Sequence, residues 1–289
     1  MTKKFVIAGI GELLWDLLPD GRQLGGAPAN FIYHIYKSGD DGIVISSIGN
    51  DDDGMAIIAG LEQHGINTNY IQIIPHLPTG VVNVVVDNTG QPSYEIVENV
   101  AWDNIEFTPE IAELTPKIDL ICFGTLAQRS GKNKDTIKKI IETLPASTKK
   151  LYDINLRQQF YDAETVEWSL RTADIVKLND SELLAVYHLL NINHADNFLV
   201  DSRRLANLFD IELLCVTRGE YGSLLIAEDH HDYHPGCSIE VNDTVGAGDA
   251  FTAAMAHHYL RGAPLAEINE KANRLGSFVA SQSGAMPKY

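Results

Sequence analysis

The chain has 289 residues, of which 45% are hydrophobic, and this is long enough for one large α/β domain with a sizeable core. Its 22 lysines and arginines against 39 aspartates and glutamates give a net charge of −17, so we expect no nucleic-acid partner. The three widely spaced cysteines indicate neither a disulfide framework nor a zinc site, and they fit a reducing cytoplasm. We interpret the start of the chain as a strand and not as a signal peptide, and we expect no membrane partner because no run of about 18 apolar residues occurs.

Short apolar runs bounded by turn residues predict the strands, which are FVIAGIG, GIVISSIG, IDLICFG, KKLYDINL, ADIVKLN and ELLCVTRG. Between many of them lie segments typical of helices, which are APANFIYHIYKSG, GMAIIAGLEQHG, NKDTIKKIIETL and SELLAVYHLL. Buried strands that alternate with helices predict a parallel sheet covered on both faces.

Two segments interrupt this alternation. ELLWDLLPDGRQLGG and TGVVNVVVDNTGQPSYEIVE are typical of hairpins, with PDG and DNTG as their turns. Residues 78–98 also alternate with a period of two. A small antiparallel flap attached to the main sheet would explain both segments.

The stretch GGAPAN, residues 25–30, opens an apolar helix with two glycines, where a backbone can approach a ligand closely. The amide of Asn30 offers a donor and an acceptor, which suits a sugar hydroxyl. Upstream, Glu12 and Asp16 lie in an apolar segment without a basic partner. The alternative is a tight turn with a helix cap and two exposed hairpin acids.

Polar residues also follow two of the predicted core strands. YDINLR places Asp153, Asn155 and Arg157 on one face of a predicted strand, where they should bind one another or a ligand. In KLNDSELL, Asn179 and Glu182 face the same side of a first helical turn. That pair is typical of a helix cap or of a site for a divalent cation and water.

The stretch DTVGAGDAF, residues 243–251, predicts a glycine-rich turn that leads into a helix of small and apolar residues. The N–H groups near Gly246, Ala247 and Gly248 would be free at the helix start, where the dipole favours anions. Asp249 lies among them. It could be an ordinary first-turn acid, or it could take a proton from a hydroxyl that attacks a phosphate.

Together these residues resemble the ribokinase-like (PfkB) family of carbohydrate kinases. Both family signatures are present, GGAPANFIYHIYKSG and DTVGAGDAFTAAM, and IGNDDDG, FGTLAQRS, DINLR, NDSE and TRGEYG stand between them in the family's order. The resemblance spans residues 5–287 and implies an α/β fold, a three-layer α/β/α sandwich with a Rossmann-like parallel sheet and a small β-sheet lid. It implies a single domain, 1–289, with the lid formed by about 11–25 and 76–100.

The resemblance also implies a role for each site residue. Asp249 would be the base, and Gly246, Ala247 and Gly248 would form the anion hole. Sugar would be bound by Glu12, Asp16, Gly25, Gly26, Asn30 and Arg157. Mg²⁺ would be held through water by Asn179 and Glu182. ATP would be bound with the help of these two residues and of Thr217, Gly219, Gly222 and Asn273. Asp243, Val245 and Gly284 lie where some members of the family bind K⁺.

The resemblance implies an ATP-dependent sugar kinase, and GELLWDLLPDG together with GGAPAN is most similar to fructokinases. We therefore expect phosphorylation of fructose on O6, in the cytoplasm, by a protein that pairs with a second copy through its lid. A kinase for ribose, a keto-deoxy acid or another hexose is one alternative. A sugar-sensing protein without catalysis is the other.

Overall fold

The structure is a computed structural model that describes residues 3–18, 21–86 and 92–289. The strands of these residues are β1 (Val6–Ile10), β2 (Leu14–Leu18), β3 (Gly21–Gly25), β4 (Asp41–Gly49), β5 (Ile71–Ile74), β6 (Gly80–Val86), β7 (Pro92–Ile96), β8 (Leu120–Gly124), β9 (Lys149–Asp153), β10 (Ile175–Asn179), β11 (Leu213–Thr217), β12 (Ser223–Ala227) and β13 (His230–His234). The helices are α1 (Ala27–Lys37), α2 (Asp52–Gln63), α3 (Pro109–Leu114), α4 (Gly131–Thr143), α5 (Ala163–Thr172), α6 (Asp180–Leu189), α7 (Phe198–Leu208), α8 (Ala247–Tyr259) and α9 (Leu265–Ala280).

The larger sheet of the described residues has nine strands in the order β13-β12-β11-β10-β9-β8-β1-β4-β5. All pairs from β11 to β5 are parallel, while β12 and β13 add two antiparallel strands at one edge. The chain leaves β1 towards β4 on one side and later returns to β8 on the other. In open sheets of this kind, ligands bind at the carboxyl ends of the strands where the direction of winding changes.

Helices cover both faces of this sheet, because successive residues of its strands point to opposite sides. Ala8 and Ile10 of β1 pack in a core with residues of α3 to α7, whereas Ile7 packs with residues of α1, α2, α8 and α9. The same alternation is found in β8 and β11. The parallel sheet and the three layers predicted from the sequence are therefore confirmed.

A separate sheet of four strands has the order β3-β2-β6-β7. Both predicted hairpins are present as antiparallel pairs, β2 with β3 and β6 with β7, and the parallel pair β2–β6 joins them. The predicted turn residues 19–20 and 87–90 lie outside the described part of the chain. Leu14, Val82 and Ile96 of this sheet pack on Trp102 in a small core of their own.

The C-terminal residues pack against α1. The two ring nitrogens of His34 lie 2.9 Å from the hydroxyl of Tyr289 and 2.9 Å from the carbonyl oxygen of Ala285. Burial lowers the pKa of His34 to about 4, so the ring is neutral here. These contacts hold Ala285 beside Gly246, just ahead of α8.

In the described ranges, no helix combines the length and the apolar character that crossing a membrane requires.

Candidate active site

Helix α8 begins without a side-chain cap, directly after Gly246. Gly246 has a φ of 74°, and a side chain there would collide with Ala285, so the turn requires glycine. The first N–H groups of a helix have no acceptor within the helix. Ala247 and Gly248 line a large cleft beside this turn. The N–H of Ala247 donates to the carbonyl oxygen of Thr244 at 3.3 Å, whereas the N–H of Gly248, in the first turn of α8, is available to an anion.

Asp249 lies in the first turn of α8, opposite the start of α1. The side-chain amide of Asn30 donates to its Oδ2 atom at 2.8 Å. Burial and the nearby carboxylate of Asp153 raise the pKa of Asp249 to about 6, although Asn30 and Lys177 act in the opposite direction. A carboxylate with a pKa in this range can accept a proton near neutral pH.

Glu12 and Asp16 lie on the side of the small sheet. Glu12 follows β1 and accepts a hydrogen bond from the N–H of Ala27 at 3.3 Å, and burial raises its pKa. Burial also raises the pKa of Asp16 to about 6, against the effect of Arg157. The sequence suggested that these acids lack a basic partner; the structure instead places both within the electrostatic reach of Arg157.

The two glycines before α1 are required by close packing. A side chain at residue 25 would collide with the carboxylate of Asp16, and one at residue 26 would collide with the backbone of Glu12. Gly26 also has a φ of 112° and precedes the first residue of α1. The pair thus allows both acids to approach the helix that carries Asn30.

A small cavity of about 20 Å³ lies beside these groups, at the carboxyl ends of the neighbouring strands β1 and β8. Glu12, Asp153 and Asp249 contribute to its lining, while Asp16 and Arg157 do not. Asn30, which is 4% exposed, has a buried Oδ1 atom without a hydrogen-bond partner in the described structure. The cavity has room for about one water molecule, so a sugar does not fit unless the residues around it rearrange.

One prediction about this region is wrong. Strand β9 ends at Asp153, and Asn155 has a φ of 44°, so Asp153, Asn155 and Arg157 do not share one face of a strand. The left-handed turn at Asn155 separates them, since asparagine tolerates this conformation better than most residues do. Asp153 remains buried beside Lys177, while Arg157 is exposed.

A cleft of about 620 Å³ lies on the other side of the α8 start. Its lining includes all four residues predicted to hold the nucleotide, which are Thr217, Gly219, Gly222 and Asn273. Gly222 has a φ of 77°, and a side chain there would collide with the backbone of residues 234–236. Asn273 donates to Ser223 at 2.7 Å, which fixes one wall. The cleft is large enough for a nucleotide.

Asn179 and Glu182 form a reciprocal helix cap at the start of α6. Asn179 Oδ1 accepts from the N–H of Glu182, and Glu182 Oε2 accepts from the N–H of Asn179, both at 2.8 Å. The second carboxylate oxygen of Glu182 accepts from the N–H of Leu156 at 2.9 Å. The capping alternative is thus present in the structure, and these oxygens suit a cation held through water better than one bound directly.

Asp243 connects the turn before α8 to the C-terminal segment. Its carboxylate accepts from the N–H of Val245 at 2.9 Å and from the N–H of Gly284 at 3.1 Å. The structure therefore brings together the three residues predicted for K⁺. Among the described residues, no group of three or more histidines, cysteines, aspartates and glutamates could hold a metal.

Lys177 was not predicted as part of the site, and its ammonium lies 3.1 Å from Asp153 Oδ1. The available signal was a lysine inside the apolar run IVKLN, where a charge needs a partner. Thr252 was not predicted either, and its hydroxyl donates to Asp153 Oδ2 at 2.8 Å. This partner could not be found by spacing, because 99 positions separate the two residues.

Comparisons with known proteins find relatives along nearly the whole chain. Residues 21–288 match the model of the pfkB family carbohydrate kinases. An uncharacterized sugar kinase from Pyrococcus horikoshii is 27% identical in its crystal structure, with a TM-score of 0.82 over 97% of this chain and 93% of that one. Fructokinase-2 of Oryza sativa is 24% identical over 98% of this chain and 90% of its own length. A fructokinase from Vibrio cholerae, solved with fructose, ADP and calcium, has a TM-score of 0.83 at 22% identity over 98% and 94% of the two chains. The chain belongs to the pfkB family of carbohydrate kinases.

Proposed function

We propose that this protein transfers the γ-phosphoryl group of ATP to O6 of fructose. One observation carries the proposal: the Asp249 carboxylate lies at an uncapped helix start, between a cleft of about 620 Å³ and the buried acids Glu12 and Asp153. A base is thereby placed where a nucleotide phosphate and a sugar hydroxyl can meet.

Asp249 takes the proton of the sugar hydroxyl as its oxygen attacks the γ-phosphorus and the bond to the bridging oxygen of ADP breaks. The N–H groups of Gly246, Ala247 and Gly248 stabilise the charge on the transferring group, and that of Ala247 exchanges its bond to the Thr244 carbonyl for one to the phosphoryl group. Asn30 orients Asp249 through its amide, and its unpaired Oδ1 accepts a hydrogen bond from the sugar.

Asn179 and Glu182 would hold Mg²⁺ through water, in keeping with oxygens already engaged in the helix cap. When bound, this ion neutralises charge on the phosphates. Asp243, Val245 and Gly284 would hold K⁺ beside the turn before α8. Asp243 already fixes that turn through backbone N–H groups, and this supports a structural role for the cation.

The small sheet serves as a lid in this proposal. The cavity of about 20 Å³ is too small for a sugar, so in this proposal Glu12, which lines the cavity between β1 and β2, moves outwards with the small sheet for entry and returns for reaction. Closure excludes water that would otherwise hydrolyse ATP. Self-association through this sheet remains a prediction of the sequence, and light scattering at micromolar concentration would test it.

Fructose is the favoured acceptor because GELLWDLLPDG and GGAPAN resemble fructokinases, and relatives named fructokinase match at 24–26% identity. The decisive experiment incubates the protein with ATP, Mg²⁺ and separate sugars, namely fructose, ribose, glucose and a keto-deoxy acid. Phosphorus NMR of the product identifies the esterified hydroxyl. We expect fructose 6-phosphate.

Higher kcat/KM with another sugar would contradict the choice of fructose and keep the kinase. Sugar binding in calorimetry without turnover of any sugar would favour a sensor. The intact Asp249 and the uncapped α8 start argue against that second candidate, because a sensor needs neither.

A further inference from the structure

Lys177 is a buried cation near the carboxyl end of β10. It is 8% exposed, and its ammonium lies 3.1 and 3.3 Å from the two carboxylate oxygens of Asp153 on the adjacent strand β9. A lysine in such a position keeps its charge only with partners. Burial alone would lower its pKa, but Asp153, Glu182 and Asp249 together raise it.

The ammonium lies directly beneath the first turn of α8. A Cβ atom at Gly248 would stand 3.3 Å from Lys177 Nζ, and the other face of Gly248 is exposed along the large cleft. Thr252 joins the two elements, because its hydroxyl donates to Asp153 and contacts the carbonyl oxygen of Gly248 at 2.9 Å. A phosphoryl group bound in the cleft at the N-terminus of α8 would therefore lie on the opposite side of Gly248 from the Lys177 ammonium.

The negative charge around this point is high. Glu12, Asp153 and Asp249 line one small cavity, and Glu182 at the start of α6 interacts with the same ammonium. Nucleotide phosphates would add more negative charge. Like charges repel strongly in a low-dielectric site. The nucleotide phosphates and the ionised Asp249 carboxylate can therefore lie close together only if a cation lies near both.

We propose that Lys177 is a positioning residue for phosphoryl transfer: Asp153 holds its ammonium beneath α8, where the positive charge stabilises a phosphoryl group over Gly248 while Asp249 stays ionised. This rests on the proposed reaction at the start of α8, although not on the choice of sugar. The groups facing Lys177 from neighbouring elements are Asp153, Glu182 and Asp249, and the thiols of Cys122 and Cys215, which burial keeps protonated.

A merely structural role is the alternative, because breaking a buried ion pair destabilises a fold. The variant Lys177→Met alone leaves the buried Asp153 carboxylate without a cation, so we compare it with Lys177→Met/Asp153→Asn, which removes both charges. The matched control is Lys150→Met, on β9, which removes a lysine bonded to Asp174 at 2.8 Å. Each variant is measured by thermal unfolding and by steady-state kinetics with the sugar that the wild type phosphorylates.

We expect Lys177→Met to lower kcat by about 100-fold while KM for the sugar changes by less than about threefold. We also expect the acidic limb of its pH–rate profile to move to higher pH, since Asp249 then faces Asp153, Glu12 and Asn30 without the cation. In the double variant, thermal stability recovers but kcat stays at least about tenfold below wild type. Lys150→Met retains the wild-type kcat.

A second measurement does not depend on turnover. Binding of Mg²⁺–ADP with aluminium fluoride, which mimics the transferring group, is compared by calorimetry with binding of Mg²⁺–ADP alone. We expect both Lys177 variants to lose at least about tenfold in affinity for the mimic and less than about threefold for ADP. Recovery of kcat and of mimic affinity in the double variant would overturn the proposal. Failure of the wild type with every sugar would refute the proposed function instead, and mimic binding would then decide the role of Lys177.

Discussion

The side-chain amide of Asn30 donates to Oδ2 of Asp249 at 2.8 Å, across 219 positions of sequence. This bond joins the starts of α1 and α8 and so connects the two glycine-rich motifs. It leaves Asn30 Oδ1 buried without a partner in the described structure, beside a carboxylate with a raised pKa. The proposed sugar hydroxyl would lie between the two residues.

Replacing Asn30 with alanine should raise KM for the sugar about tenfold or more, because a buried hydrogen bond to the sugar is lost. KM for ATP should change less than about threefold, since Asn30 is not among the residues lining the nucleotide cleft. Steady-state kinetics with each substrate varied would show this. A fall in kcat with both KM values unchanged would instead mean that Asn30 only orients Asp249.

The variant Asp249→Asn should lower kcat by about 10³-fold, because the amide cannot accept the proton of the hydroxyl. Sugar affinity in calorimetry should stay within about threefold, since the base acts mainly in the transition state. Asp196→Asn, an exposed carboxylate replaced in the same way, is the control and should keep wild-type kinetics. Comparable turnover in Asp249→Asn would refute the role of the base.

The kcat/KM value should fall as the pH drops through about 6. The pKa of Asp249 is raised to about 6, so the carboxylate holds its proton below that pH and cannot act as a base. Asp16 has a pKa raised into the same range. The residual activity of Asp249→Asn distinguishes the two, because an acidic limb that persists in this variant would belong to Asp16.

A stability prediction concerns Asp40, whose side chain is fully buried between His257 and Arg261. Burial alone would raise its pKa, but hydrogen bonds from His257, Arg261 and the N–H of Phe5 lower it to about 2. The stabilisation is present above the unfolded pKa of about 4 and is lost as the pH falls towards about 2. It corresponds to about 2 kcal/mol of unfolding free energy.

Asp40→Asn should therefore lower the free energy of unfolding at neutral pH by about 3 kcal/mol, because Arg261 is left without its partner. Urea denaturation between about pH 2 and pH 7 measures both effects. The adjacent Asp41→Asn is the control, since that carboxylate is exposed and only 3.5 Å from Lys4. It should cost less than about 0.5 kcal/mol. Equal losses in the two variants would contradict the assignment.

Local patterns in the sequence determined the main elements. Apolar runs bounded by turn residues predict the core strands, and apolar residues with a period of about 3.6 predict the helices, because this spacing decides which faces of an element are buried. The glycines at residues 25, 26 and 246 likewise mark turns that need a missing side chain, and the structure contains them. Motifs of this kind were sufficient to name the family.

Tertiary structure decided which side chains meet. The chain leaves the predicted strand at Asn155, because the backbone of this residue is left-handed. The spacing of apolar residues in the sequence does not predict such a turn. The ammonium of Lys177 is recognisable as part of the site only once β9, β10 and α8 are packed together. The sequence by itself determined the alternation of strands and helices, and it supplied the predicted site residues other than Lys177 and Thr252. Distances and electrostatic coupling between them depend on packing between elements far apart in the chain, and so only the folded structure specified them.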